Sequence, residues 1–171
     1  MSAILKRLAI LLALTIVPVL LDAQVAAPSP RAQAIQRAQR LVNDGNGAEG
    51  RALMDSLLNA IEPRSPDEAE VLYWRAALAE SWDQAQRDYL RVMLEHERSS
   101  FAASSMLRLA QGELMRGDRE AALRYLDRLL AESPEATERE EAIALRARLV
   151  PTASKARPWA RRRGGVRGAR P

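Results

Sequence analysis

His96 is the only histidine in a chain of 171 residues that has no cysteine, so few side chains can ligate a metal, move a proton near neutral pH or act as a thiolate nucleophile. It stands in Glu95-His96-Glu97-Arg98, where nearby carboxylates and a helix C-terminus would both favour a charged imidazole. The simpler expectation, and the one adopted, is a solvated helix end without a chemical role. Asp44-Gly45-Asn46-Gly47-Ala48-Glu49, with Asp55 beyond it, sets oxygen ligands at a spacing loosely like that of a calcium loop. Glu49 falls where an EF-hand needs glycine for its sharp bend, so a plain turn without metal is expected. The chain has no G-x-S-x-G nucleophile turn and no glycine-rich phosphate loop. Without cysteine, a disulfide framework, a thiolate metal site and a cysteine-linked lipid anchor are all excluded. An enzyme is therefore not expected, and no cofactor is implied.

Charge offers a second kind of chemistry. The net charge of +4 divides into +1 for residues 1–23, −4 for residues 24–149 (17 Arg against 21 acids) and +7 for residues 150–171. The basic end, with Trp159 beside Arg161, Arg162 and Arg163, has the composition of a segment that binds anions, since arginines neutralise phosphates and an aromatic can stack on bases or settle at a membrane interface. Residues 1–27 point away from nucleic acid. Lys6-Arg7 precede the apolar run Leu8 to Leu21, and small residues follow, the layout of a secretory signal peptide with cleavage after Ala23 or Ala27. The run has 14 residues and contains Pro18, short for a bilayer span of about 20, although retention as an inner-membrane anchor is the alternative. An exported protein rarely meets nucleic acid, so an anionic membrane or other polyanionic surface is the partner expected for the tail. Arginine outnumbers lysine 24 to 2, a bias carrying no functional inference.

Between the two ends the apolar residues recur at helical spacing. Ser29-Pro30 can open a first helix with Ile35, Ala38, Leu41 and Val42 on its buried face, and Asn43-Asp44-Gly45-Asn46-Gly47 ends it. A second restarts near Ala48, with Ala52, Leu53, Leu57, Leu58 and Ile61 inward. Ser65-Pro66-Asp67-Glu68 reads as a capping box in which Ser65 caps the third helix and Glu68 reaches back to its N–H; Ala69, Leu72 and Ala76 face inward. Ser81-Trp82-Asp83-Gln84 repeats the device for a fourth helix carrying Ala85, Tyr89, Val92 and Met93. Met106, Leu109 and Ala110 mark a fifth, Gly117-Asp118 a tight turn, and Ala122, Leu126, Leu129 and Leu130 a sixth that stops at Ser133-Pro134. A seventh helix opens at Thr137-Glu138, with Ala142, Ile143, Leu145, Ala147 and Leu149 available to cover the last hairpin.

Ala103 to Pro134 resembles a tetratricopeptide repeat: a small residue late in helix one (Ala110), Gly117-Asp118 at the turn, then Ala122, Leu126, Leu129 and a closing Pro134. Glu113 departs from it, standing where the family usually carries an aromatic. Ala52, Ala85 and Ala122 stand 33 and 37 residues apart, near the repeat of about 34. The resemblance implies an all-α solenoid of about three helical hairpins over residues 28–149 with a C-terminal capping helix, followed by a disordered tail. The Ser-rich corner in residues 96–111 narrows it toward envelope members of the superfamily, the outer-membrane-assembly and Tol-Pal-associated proteins, without the lipid-anchor cysteine of the former.

In that family the first helix of each hairpin lines a groove that receives an extended or helical peptide. Helical phase then selects Arg37 and Leu41 on the first helix, Glu70 and Trp74 on the third, and Leu107, Gln111 and Leu114 on the fifth as partner-binding residues. Only Arg37 and Arg108 stand near the phase of the family's carboxylate clamps, so a C-terminal carboxylate ligand is not implied. The function expected is a protein-protein interaction module or scaffold of the bacterial cell envelope, periplasmic or secreted. The alternative is an attachment protein whose tail does the binding while the repeats act as a spacer.

Overall fold

Seven α-helices and no strand make up residues 28–150, the part of the chain that the computed structural model describes. They are α1 (Pro30–Asn43), α2 (Gly47–Asn59), α3 (Pro66–Ala77), α4 (Trp82–Glu95), α5 (Ser100–Met115), α6 (Arg119–Glu132) and α7 (Arg139–Leu149). Most boundaries follow from local chemistry. The Ser29 hydroxyl accepts the Ala32 N–H at 3.1 Å with Pro30 in the first turn, and the Asp118 carboxylate accepts the Ala121 N–H at 2.8 Å. Ser81 and Ser99 cap α4 and α5 in the same way. Gly45 and Gly117 end α1 and α5 at φ +88° and +85°, a conformation that strains a residue with a Cβ.

Two starts differ from expectation. The Ser65 hydroxyl makes no cap bond, and the Glu68 N–H that it would accept goes to the Ser65 carbonyl at 3.1 Å; because the Ser65 N–H is donated to the Glu62 carbonyl at 3.2 Å, the Glu68 carboxylate reaches past it to the N–H of Arg64, held in the left-handed region at φ +63°. The last helix begins at Arg139 rather than Thr137, whose hydroxyl bonds the Glu138 carboxylate at 3.1 Å and leaves the helix without a side-chain cap.

Each helix packs on the next in sequence, and α3 also reaches α5. The largest core cluster runs through α3 to α7, with Leu109, Ala110, Ala122, Leu126 and Leu129 all fully buried. A second joins α1, α2 and α3 through Ile35, Ala38, Met54 and Val71. Ala85 and Ala122 are buried as their spacing predicts, but Ala52 is exposed. The small residue at the α1/α2 contact is Gly50, where a Cβ would lie 2.7 Å from the Ala38 carbonyl oxygen. Glu113, in place of an aromatic, is buried and accepts the Gln86 Nε2 at 2.9 Å, a polar tie from α4 to α5. On α7 only Ala142 and Leu149 are buried, with Leu145 partly so; Ile143 and Ala147 project the other way.

Polar groups fasten α3 to α4. Arg75 on α3 grips Asp88 on α4 with two bonds of 2.7 and 2.6 Å and reaches Asp55 on α2 at 3.3 Å. Next to it, Tyr89 is 4% exposed, and burial, with smaller contributions from Tyr73 and Asp88, pushes its hydroxyl from 10.0 up to about 12 against the pull of Arg108. A raised folded pKa carries stability that is complete below the unfolded value of 10.0 and is lost as pH climbs through about 12. On the order of 2 kcal/mol should disappear across that window. Urea unfolding measured at intervals through it should record the decline, and Tyr89→Phe should flatten it; an equal decline in the variant would place its cause elsewhere.

Candidate functional site

α5 borders two shallow depressions, one shared with α3 and α4 and the other with α7. One, of about 320 Å³, is bordered by Ala76 and Ala77 of α3, Trp82 and Tyr89 of α4, and Arg108, Gln111 and Met115 of α5. The other, of about 310 Å³, is bordered by Gln111 and Leu114 of α5 and by Glu141, Ala144, Leu145 and Arg148 of α7. Gln111 lines both. Its amide donates to Glu141 at 2.8 Å and accepts from the Arg108 guanidinium at 3.1 Å, so its orientation is fixed before anything binds. Met115 projects beside it at 81% exposure, a large apolar side chain bordering the same depression as Arg108 and Gln111. An exposed apolar side chain thus stands beside polar groups that line the same depression.

Of the residues selected by helical phase, Gln111 and Leu114 come together here. Leu107 does not join them: it is 5% exposed and packs in the main core, because α3 covers that half of α5. Trp74 is partly buried against the α1/α2/α3 cluster, with Tyr73 edge-on to it at a centroid distance of 5.3 Å. Glu70 accepts the Arg31 Nε at 2.7 Å and so ties α3 to α1. Arg37 is exposed and Leu41 half-buried at the far end of the molecule, outside both depressions.

Arg108 borders the first depression, on the face its phase suggests; the residues that phase alone missed are Met115, Glu141 and Arg148. Met115 carried a signal, being an apolar residue out of step with the buried stripe Met106, Leu109, Ala110. The α7 residues carried none, since their position depends on how α6 turns the chain back. His96 corrects the expectation of a solvated helix end: it is 9% exposed, and its Nε2 lies 3.2 Å from the carboxylate of buried Glu68. Residues 1–27, where a signal peptide is expected, and the tail residues Trp159, Arg161, Arg162 and Arg163 lie outside the described part of the chain. Among the described residues no helix is long and apolar enough to cross a membrane. No protein-family model, no curated protein and no solved structure matches the chain.

Proposed function

We propose that this chain is an exported binding module of the bacterial cell envelope, a tetratricopeptide-like array of three helical hairpins and a closing helix that takes a protein or peptide partner along the face of α5 and α7. The observation that carries the reading is the pair of adjoining depressions that share Gln111, with exposed Met115 in one and the charges Glu141 and Arg148 in the other. Met115, at 81% exposure, offers an apolar side chain at the edge of the first depression, and rim charges of both signs favour a partner presenting alternating charges over a uniformly charged surface. Export rests on the pattern of residues 1–27, and the envelope on the resemblance of the repeats.

The test is a photo-crosslinking side chain placed in the full chain at Met115 or at Arg148, with exposed Arg124 on α6 as the control. The same partner adduct should form from the first two positions and be absent from the third. It should survive when Trp159, Arg161, Arg162 and Arg163 are all replaced by serine. An adduct lost with those tail residues would assign attachment to the tail and reduce the repeats to a spacer.

A further inference from the structure

The second hairpin closes on a group of side chains with no part in that surface. Glu68, in the first turn of α3, and Glu95 and His96, at the end of α4, offer two carboxylate oxygens and an imidazole nitrogen within 4.8 Å of one another. Glu68 is 4% exposed, and the His96 side chain is 6% exposed. The Nε2 of His96 has no hydrogen-bond partner among the described residues; at 3.2 Å from Glu68 Oε2 it is near enough for one but is not aligned for it. A buried nitrogen in that condition normally costs 1 kcal/mol or more, roughly, and calls for an explanation.

We propose that Glu68, Glu95 and His96 form a binding site for a divalent transition-metal ion of the Zn²⁺ type. Two ligands that each lie 2.0–2.1 Å from one tetrahedral ion are about 3.3 Å apart, and both point at the ion instead of at each other. The 3.2 Å separation and misalignment of His96 Nε2 and Glu68 Oε2 fit that geometry. One imidazole with two carboxylates suits zinc better than calcium or magnesium, which favour oxygen alone. Glu68 is oriented before an ion arrives: its Oε2 accepts the Arg64 N–H with one lone pair, which leaves the other for a metal. Glu95 is exposed and can swing in; the space beside it, about 410 Å³ and bordered by Arg64, Glu95, His96, Glu97, Arg98 and Ser99, gives an ion its way in and leaves the fourth ligand position to water.

Arg91 limits the affinity. It lies 3.6 Å from Glu95 as well as 2.8 Å from Glu68, and an incoming dication must displace the first contact and tolerate the second. The bound ion would link the start of α3 to the end of α4, the two termini of one hairpin, and so stabilise the fold by an amount that rises with the logarithm of free ion concentration once that exceeds the dissociation constant.

The experiment is Zn²⁺ titration of the full chain, carrying no polyhistidine tag, by calorimetry and by competition with a chromophoric chelator, with Mg²⁺ as control. One ion per chain should bind and raise the unfolding temperature. His96→Gln and, separately, Glu95→Gln should each weaken binding at least about tenfold, whereas Arg91→Gln should tighten it by on the order of tenfold by removing a competing cation. Glu95 is exposed, so its variant keeps the test decisive if His96→Gln does not fold. Absence of Zn²⁺ binding to the parent, binding unchanged by Glu95→Gln, or weaker binding in Arg91→Gln would each overturn the assignment.

Discussion

Arg75→Met should lower the free energy of unfolding by about 3 kcal/mol, the lower end of the range for stripping a buried charge of its partner. Asp88 is the reason. Its side chain is 9% exposed, and both its carboxylate oxygens are satisfied by Arg75, at 2.6 and 2.7 Å. Methionine would preserve much of the packing of the arginine stem, so the loss measures the stranded carboxylate more than lost volume. Arg75 itself is 27% exposed, which lets water reach part of the site and keeps the loss from the top of the range. Arg75→Lys should fall between, because one ammonium cannot make the two parallel bonds. In Arg75→Met/Asp88→Leu the cost should shrink well below that of Arg75→Met alone, since neither charge remains to be desolvated. Urea denaturation of the four proteins decides it; a loss under about 1 kcal/mol in Arg75→Met would mean that the pair behaves as an exposed one.

The pair also marks the boundary of what the sequence discloses. Helix positions were legible because they depend on near neighbours: Ser29-Pro30, Gly117-Asp118 and the spacing of Leu126 and Leu129 each act within a few residues. Ser65 misleads at that same range, because nothing in Ser-Pro-Asp-Glu tells that its N–H is already committed to Glu62. Ala52 misleads for a different reason. Both Gly50 and Ala52 are small, and which of them meets α1 depends on the rotation of α2, set by Met54 entering the core.

The candidate surface was half legible on the same grounds. Leu107, Gln111 and Leu114 share a stripe of α5, but a stripe has no marking for where a neighbouring helix covers it. Tyr73 on α3 packs 5.3 Å from Phe101 at the start of α5, and coverage from that side takes Leu107 inside while Gln111 stays at the surface. His96 and Glu68 are 28 residues apart in sequence, and only the return of α4 alongside α3 brings them together. Local pattern thus located the helices and long-range packing chose the site.

Gly112→Ala should be the other strongly destabilising change, and its dependence on a second residue makes it the sharper test of the packing. Glycine inside α5 costs helix stability, roughly 1 kcal/mol relative to alanine, so an open site would gain from the substitution. Here a Cβ would overlap the six-membered ring of Trp82 at Cη2, Cζ2 and Cζ3. The ring is partly buried between the start of α4 and the face of α5, so it cannot swing away as the tip of a flexible chain would. Overpacking of this kind costs about 1–3 kcal/mol and can exceed that where the neighbour is rigid. A net loss of about 3 kcal/mol is expected. Removing the ring should reverse the sign: Trp82→Ala alone should cost about 3 kcal/mol or more as a cavity opens, yet adding Gly112→Ala in that background should be neutral or stabilising by up to about 1 kcal/mol. Strictly additive losses in the double variant would mean that Trp82 does not sit over Gly112, and that α4 meets α5 through some other contact.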